Sequence, residues 1–314
     1  MPPTLPDYDR ADPVESAIIN GLVRTWGHRA TVRKPEVDVD DLFDPAKADY
    51  PEELIPFHTH DRYLALDENT QNRVRAWAWI AYNKNVMDIE QYVVNPGFGM
   101  LSRDEFGVGL GDKHKIAAVQ AMVDEEYHTL MHLNASALTR RRRQWTLSDS
   151  LLPRSRTVRE HDADLATAAP GRPAAIVRLA YTAAAETSIS SYLALMSEND
   201  AIQPVNCATV AMHRRDELCH SSVAGELLKI VFGELDSDER RQLIAALTTA
   251  VEAFTGSDFS TWAAILHAER IEGADEIIRD AEAEAVGHRV VQDCSAIRRL
   301  CRDLGVEHEL AVRW

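Results

Sequence analysis

Two short stretches, Glu125-Glu126-Tyr127-His128 and Glu217-Leu218-Cys219-His220, repeat the pattern Glu-x-x-His, and each follows an aspartate, Asp124 or Asp216. A helix turns roughly 100° per residue, so a glutamate and a histidine three positions apart share one face. His213 stands one turn before Glu217 on that same face, which puts three metal-ligating side chains in one sector. Two lone glutamates sit in apolar helical surroundings. Glu90 lies among Ile80, Val86, Val93 and Val94, and Glu186 among Ala183, Ala184, Ala185, Ile189 and Leu193. An ionised carboxylate directed into such a setting is costly unless a partner or a cation compensates its charge.

Taken singly, each of these residues has a bland explanation as a solvated outlier on an amphipathic helix. Their order on the chain is what points to chemistry. The lone glutamates precede the motifs by 35 residues (90 to 125) and by 31 residues (186 to 217), and each gap suits two antiparallel helices with a connection. Two such pairs assemble a four-helix core with four carboxylates and two imidazoles directed inward, the di-iron carboxylate pattern of ferritin-like bundles. His213 adds a third imidazole. Carboxylate oxygens with imidazole suit iron or manganese better than a structural zinc. Asp124 and Asp216 are placed to accept hydrogen bonds from ligand imidazoles on facing helices. His132, one turn after His128, is left as an outer partner or a packing residue.

Along the chain, the early prolines at 2, 3, 6, 13, 35, 45, 51 and 56 predict an N-terminal arm over residues 1–60, with one helix near Val14 to Arg24. A stretch free of proline and glycine from Asp61 to Val94 predicts one long helix stopped by Pro96-Gly97. A glycine-rich loop follows, and then a helix capped by Asp112 that runs to about Arg143. Its terminal run, Arg140 to Arg143, reads either as a docking patch for an electron donor or as solvated cations at a helix C-terminus. Ser148 to Gly171 reads as a polar link. Helices then begin at Pro173 and Pro204, ending near Ser197 and Gly233. Asp236-x-x-Glu239 predicts a capping box for a helix to about Phe254, with Gly256, Gly273, Gly287 and Gly305 dividing shorter helices beyond. No stretch alternates like a strand. The expected architecture is all-α, a single helical domain over residues 1–314 with a metal-binding four-helix core at about 61–233 and accessory helices at about 236–314.

Composition narrows the function. A net charge of -16, from 34 basic and 50 acidic residues, argues against nucleic acid and anionic membranes as partners. Residues 1–13 lack the features of a secretory signal, and no run reaches membrane-spanning length. Cys207, Cys219, Cys294 and Cys301 form no Cys-x-x-Cys pair, which fits thiols in a reducing cytoplasm.

At these residues the chain resembles the p-aminobenzoate N-oxygenase family, the di-iron arylamine oxygenases of antibiotic biosynthesis. The matching stretches are Tyr82-Asn83 with Glu90-Gln91, Val123-Asp124-Glu125 with His128-Thr129 and Met131-His132, Ala185-Glu186-Thr187, Ile202-Gln203-Pro204, and His213 with Arg215-Asp216-Glu217 and His220. The resemblance implies two iron ions held by Glu90, Glu125, His128, Glu186, His213, Glu217 and His220, with manganese the other metal the donors suit. It also implies O2 as co-substrate, an iron-bound peroxo oxidant, external electrons from a reductase, and an aryl amine taken to hydroxylamine, nitroso and often nitro product.

Tyr82, Asn85, Val86 and Ile89, before Glu90, and Ser190, after Glu186, are placed to line a substrate cavity. Family members that use p-aminobenzoate carry an arginine where this chain has Asn85 and an asparagine where it has Ser190. The expected substrate is therefore an amine other than free p-aminobenzoate, its acid absent, masked or bound elsewhere. Arg75, Lys84 and Arg178 are candidate replacements for the missing cation. Accessory helices beyond a four-helix core fit a homodimer. Three other readings stay open at this point: a di-iron C–H hydroxylase or desaturase, a ferritin-like ferroxidase, and a purely structural metal site.

Overall fold

The computed structural model describes residues 13–35, 40–286, 289–291, 293–312 and 314, with the side chains of 13–16 left aside. The readings placed on residues 1–12 and on Gly287 lie outside the described residues. Among the described residues the chain is all-α, and its only strand-like pairing is an isolated bridge between Ala48 and Ile202.

Four long helices form the core: α3 (Glu68–Ile89), α5 (Asp112–Arg143), α7 (Arg172–Ser197) and α8 (Pro204–Glu234). The helix α5 packs between α3 and α8, and α7 packs on α8. Before the core come α1 (Pro13–Arg29) and α2 (Asp61–Leu64), with α1 lying against α5 and α8. The helices α9 (Ser237–Thr255) and α12 (Ser295–Asp303) cover α7, while α10 (Phe259–Ala268) packs on α3 and α11 (Ala274–Glu284) on α10. Trp79, Phe98, Ile80, Met100 and Leu138 are among the largest fully buried side chains. Each such side chain contributes about 1.5–3 kcal/mol through burial, which helps offset the cost of the ionisable groups at the centre.

The long helix expected over 61–94 is three pieces. Asp67 caps α3 by accepting from the Thr70 N–H at 3.0 Å, which separates it from α2. At the other end the chain does not stop at Pro96-Gly97. It widens into a π turn, Glu90–Val94, and continues as α4 (Asn95–Ser102). Pro96 is tolerated there because N–H groups in a first helical turn have no intrahelical acceptor to lose. Gly97 is required by a close approach, since a Cβ would collide with the Thr182 side chain of α7. The 148–171 segment is likewise not a plain link, because it contains α6 (Arg156–Thr167), capped by Ser155 accepting from the Val158 N–H at 3.3 Å.

Several expected boundaries coincide with the structure. The helix α5 ends at Arg143, although Gly111 rather than Asp112 precedes its first turn. Asp236 and Glu239 form the capping box of α9. The arginines closing α5 are engaged by the 40–49 segment, although Arg141 and Arg142 stay exposed. Arg143 donates to buried Asp49 at 2.9 Å and to the Pro45 and Lys47 carbonyls, and Arg141 pairs with Asp40 at 2.6 Å. Arg140 donates to the Leu147 carbonyl at 2.9 Å. Gln203, at the entrance to α8, bonds the same 44–47 segment from the other side.

Candidate metal centre

The four core helices bring seven predicted residues to one point. Glu90 opens the π turn, Glu125 and His128 come from α5, Glu186 from the middle of α7, and His213, Glu217 and His220 from α8. All are at least 98% buried. They fall into two groups: Glu90, Glu125, His128, His213 and Glu217 in one, and Glu125, Glu186, Glu217 and His220 in the other. Within each group one donor atom per residue lies within 4.8 Å of all the others. Glu125 and Glu217 belong to both, as carboxylates shared between two cations would.

Nearest contacts define which ring atom faces the centre. His128 Nδ1 is 2.8 Å from Glu125 Oε2, and His220 Nδ1 is 2.6 Å from Glu125 Oε1. His213 instead presents Nε2, 3.1 Å from Glu217 Oε1 and 3.5 Å from Glu90 Oε1. Burial, and then the neighbouring carboxylates, push Glu90 and Glu186 well above the usual carboxylate range. Burial would raise Glu125 as well, but the His220 and His128 imidazoles outweigh it and hold that carboxyl well below its ordinary value. The same coupling overcomes burial at His128 and lifts it to about 9. One oxygen each of Glu90, Glu186 and Glu217 has no hydrogen-bond partner. Buried polar atoms are nearly always partnered, so these orphaned oxygens fit a pair of cations.

The outward ring atoms are held as firmly as the inward ones. His128 Nε2 lies 3.3 Å from Asp216 Oδ2, and His220 Nε2 lies 3.0 Å from Asp124 Oδ2. Those aspartates are fixed in turn by the N-terminal arm, which the sequence reading kept apart from the core. The Trp26 indole donates to Asp124 at 2.9 Å, and the Thr31 backbone N–H to Asp216 at 3.1 Å. His213 is oriented by a longer chain. The Asn83 amide donates to the Trp79 carbonyl at 2.6 Å, leaving its oxygen to accept from His132 Nδ1 at 2.7 Å. His132 Nε2 then accepts from His213 Nδ1 at 2.9 Å. Burial keeps His132 neutral, pushing it well below the ordinary imidazole value. The lone pair of His213 Nε2 is thereby directed at Glu217 and Glu90.

A cavity of ≈ 130 Å³ lies between α3, α6, α7 and the end of α9, and none of the seven ligand candidates lines it. The Tyr82 ring forms one wall, stacked on Tyr192 with centroids 4.9 Å apart and lying 6.3 Å from the His132 ring. Asn85 faces Tyr192, amide to phenol oxygen at 3.4 Å. Tyr50, Phe254 and Trp262 add aromatic wall, and Lys84, Arg156 and Asp258 add charge.

Residues 12–305 match the profile of the family described as P-aminobenzoate N-oxygenase AurF. The chain is also 33% identical, over 296 residues, to the 4-aminobenzoate N-oxygenase of Streptomyces thioluteus, an alignment covering 94% of this chain and 88% of that protein. The chain belongs to the p-aminobenzoate N-oxygenase family. It is accordingly an arylamine N-oxygenase enzyme. Tyr82 and Asn85 line the cavity, whereas Val86 and Ile89 are buried in the core and Ser190 is not among its lining residues. Of the three proposed cations only Lys84 reaches the cavity, held by Asp88 at 2.6 Å. Arg156, overlooked because it comes from a helix read as a link, lines it too. Its guanidinium lies so close over Gly256 that a Cβ there would collide, and it donates to the Ser257 carbonyl at 3.3 Å. Trp26, Thr31, Asn83 and Tyr192 were also missed, for none sits at a spacing that marks a ligand. No helix of the described residues is long and apolar enough to cross a membrane.

Proposed function

We propose that this N-oxygenase takes a primary aryl amine through hydroxylamine and nitroso stages toward a nitro product, using O2 and two iron ions. The observation that carries the proposal is the pair of ligand groups sharing Glu125 and Glu217. Glu90, His128 and His213 would hold one ion and Glu186 and His220 the other, with Glu125 and Glu217 serving both. Manganese suits the same donors. Bound there, the metals supply the redox capacity for O2 that the amine and the protein lack.

The side chains of the chain do the rest. Asp216 and Asp124 accept the Nε2 protons of His128 and His220, which leaves Nδ1 of each free to ligate and fixes the ring planes. The Asn83–His132 chain does the same for His213 with the opposite ring atom. Tyr82, Tyr192 and Phe254 give the aryl ring flat apolar walls. Asn85 offers no charge for a benzoate at that position, while Arg156 has no carboxylate partner among the described residues. An acidic substituent on the substrate would therefore pair with Arg156.

Turnover under ¹⁸O2 tests this directly. The iron-loaded enzyme with a chemical reductant and a panel of aryl amines is expected to place label on nitrogen, detected by mass spectrometry. Replacing Arg156 by leucine should raise KM about tenfold or more for acidic amines only, the loss of one charge-assisted contact. Label on carbon, or no labelled product from any amine, would contradict the proposal.

A further inference from the structure

Electrons must reach the buried centre from outside, and a hydrogen-bonded route runs to it from Trp26 on the N-terminal arm. Trp26, half-buried at the end of α1, donates its indole N–H to Asp124, whose carboxylate accepts from His220 at 3.0 Å. Trp26 and Asp124 thus connect solvent to a candidate ligand. Coupling for electron transfer falls steeply across gaps, and hydrogen-bonded contacts preserve it better than van der Waals ones.

The surface around Trp26 also carries cations. In a chain of net charge -16, Arg33, Lys34 and Arg215 lie here together. The Arg33 guanidinium sits 5.8 Å from the Trp26 ring centroid, Lys34 donates to the His28 carbonyl, and Arg215 donates to Thr31 Oγ1 at 2.8 Å. Lys34 and Arg215 share the wall of a cavity of ≈ 170 Å³ with no acid among its described lining residues. Neither Arg24, Arg29, Arg33, Lys34 nor Arg215 has a carboxylate within ion-pair distance among the described residues. The other basic cluster, Arg140 to Arg143, is occupied by internal partners.

We propose that this face, the end of α1 with the turn Thr31–Arg33, docks an acidic one-electron carrier protein, and that Trp26 couples it through Asp124 and His220 to the metal centre. The inference rests on the oxygenase reading, since a centre that reduces O2 must be re-reduced. Each docking event passes one electron: the carrier's reduced centre loses it and one ferric ion gains it, and two events restore the ferrous pair. No bond is made or broken, and Trp26 bridges without being oxidised. Like-signed crowding of Arg33 and Lys34 becomes favourable only against an acidic partner, which would also be steered to the face.

The test mixes the iron-loaded full chain anaerobically with a reduced plant-type two-iron, two-sulfur ferredoxin in a stopped-flow instrument and follows the ferredoxin absorbance. The rate should fall as salt rises. Arg33→Glu with Lys34→Glu should slow it about tenfold at low salt and flatten the salt dependence, without slowing reduction by the small cation methyl viologen. Trp26→Phe keeps the ring and loses the N–H. It should lower the limiting rate per bound iron at saturating ferredoxin and leave the half-saturating concentration alone, with iron content measured for each preparation. Unaltered ferredoxin rates in the charge-reversed protein, equal slowing with methyl viologen, or a Trp26→Phe limiting rate equal to the parent would overturn the proposal. Normal ferredoxin oxidation with no amine product would instead sink the oxygenase reading and leave the docking face standing.

Discussion

His161 and the histidines of the metal centre are equally buried and are used in opposite ways. Neither ring nitrogen of His161 has a partner, and it packs 4.9 Å from the Tyr181 ring. Burial pushes it down to about 4. An unfolded imidazole takes up its proton near 6.5, so between these values the unfolded chain binds more protons and stability falls as pH drops from 6.5 toward 4. The loss amounts to ~3 kcal/mol at most, at 1.36 kcal/mol per unit. Urea unfolding of His161→Leu and the parent at pH 7 and pH 4.5 should show the variant losing less stability on acidification. Equal losses would refute this. His132 is neutral for the same physical reason, yet its Nε2 accepts from His213, so its burial is put to work. His132→Phe should weaken metal binding by roughly 10–100-fold, the scale for partners of ligating histidines, as read by competition with a chelator. Unchanged affinity would reduce His132 to packing.

At the level of elements, the glutamate and histidine spacings were legible because helical period alone decides which residues share a face. Glu125 with His128, and Glu217 with His213 and His220, needed no tertiary information. The π turn at Glu90 was hidden, since Pro96-Gly97 is an ordinary stop signal and nothing local says that the helix widens and continues. Trp26 and Thr31 were hidden for a different reason: an indole N–H and a backbone N–H acquire meaning only where α1 meets α5 and α8. The arginines of α5 show how a sequence signal can mislead, because four consecutive cations look free until the 40–49 segment is placed beside them. Arg143→Ala would strand the buried Asp49 carboxylate and release the Pro45 and Lys47 carbonyls. A cost of about 3 kcal/mol follows from removing one partner of a buried pair, visible as a lower melting temperature and faster proteolysis near residue 45. A melting curve matching the parent would show that Gln203 and Asn206 hold the segment unaided.

Across the whole molecule, a large apolar core surrounds a small volume crowded with four carboxylates and four imidazoles, counting His132. Burial, and then the neighbouring carboxylates, push Glu90 and Glu186 well above the usual carboxylate range, and one oxygen of each has no hydrogen-bond partner. The arm closes one side of this volume, and the aromatic cavity lies beyond Tyr82. The centre rests on helix faces, whereas the cavity draws Tyr192, Phe254 and Arg156 from three elements distant in sequence, which is why its composition could not be read ahead. The account depends on two metals sharing Glu125 and Glu217. Anomalous diffraction at the iron edge from crystals of the iron-loaded protein measures this most directly. Two peaks are predicted, one against Glu90, His128 and His213 and one against Glu186 and His220, with Glu125 and Glu217 touching both. A single peak, or iron bound elsewhere on the chain, would contradict it.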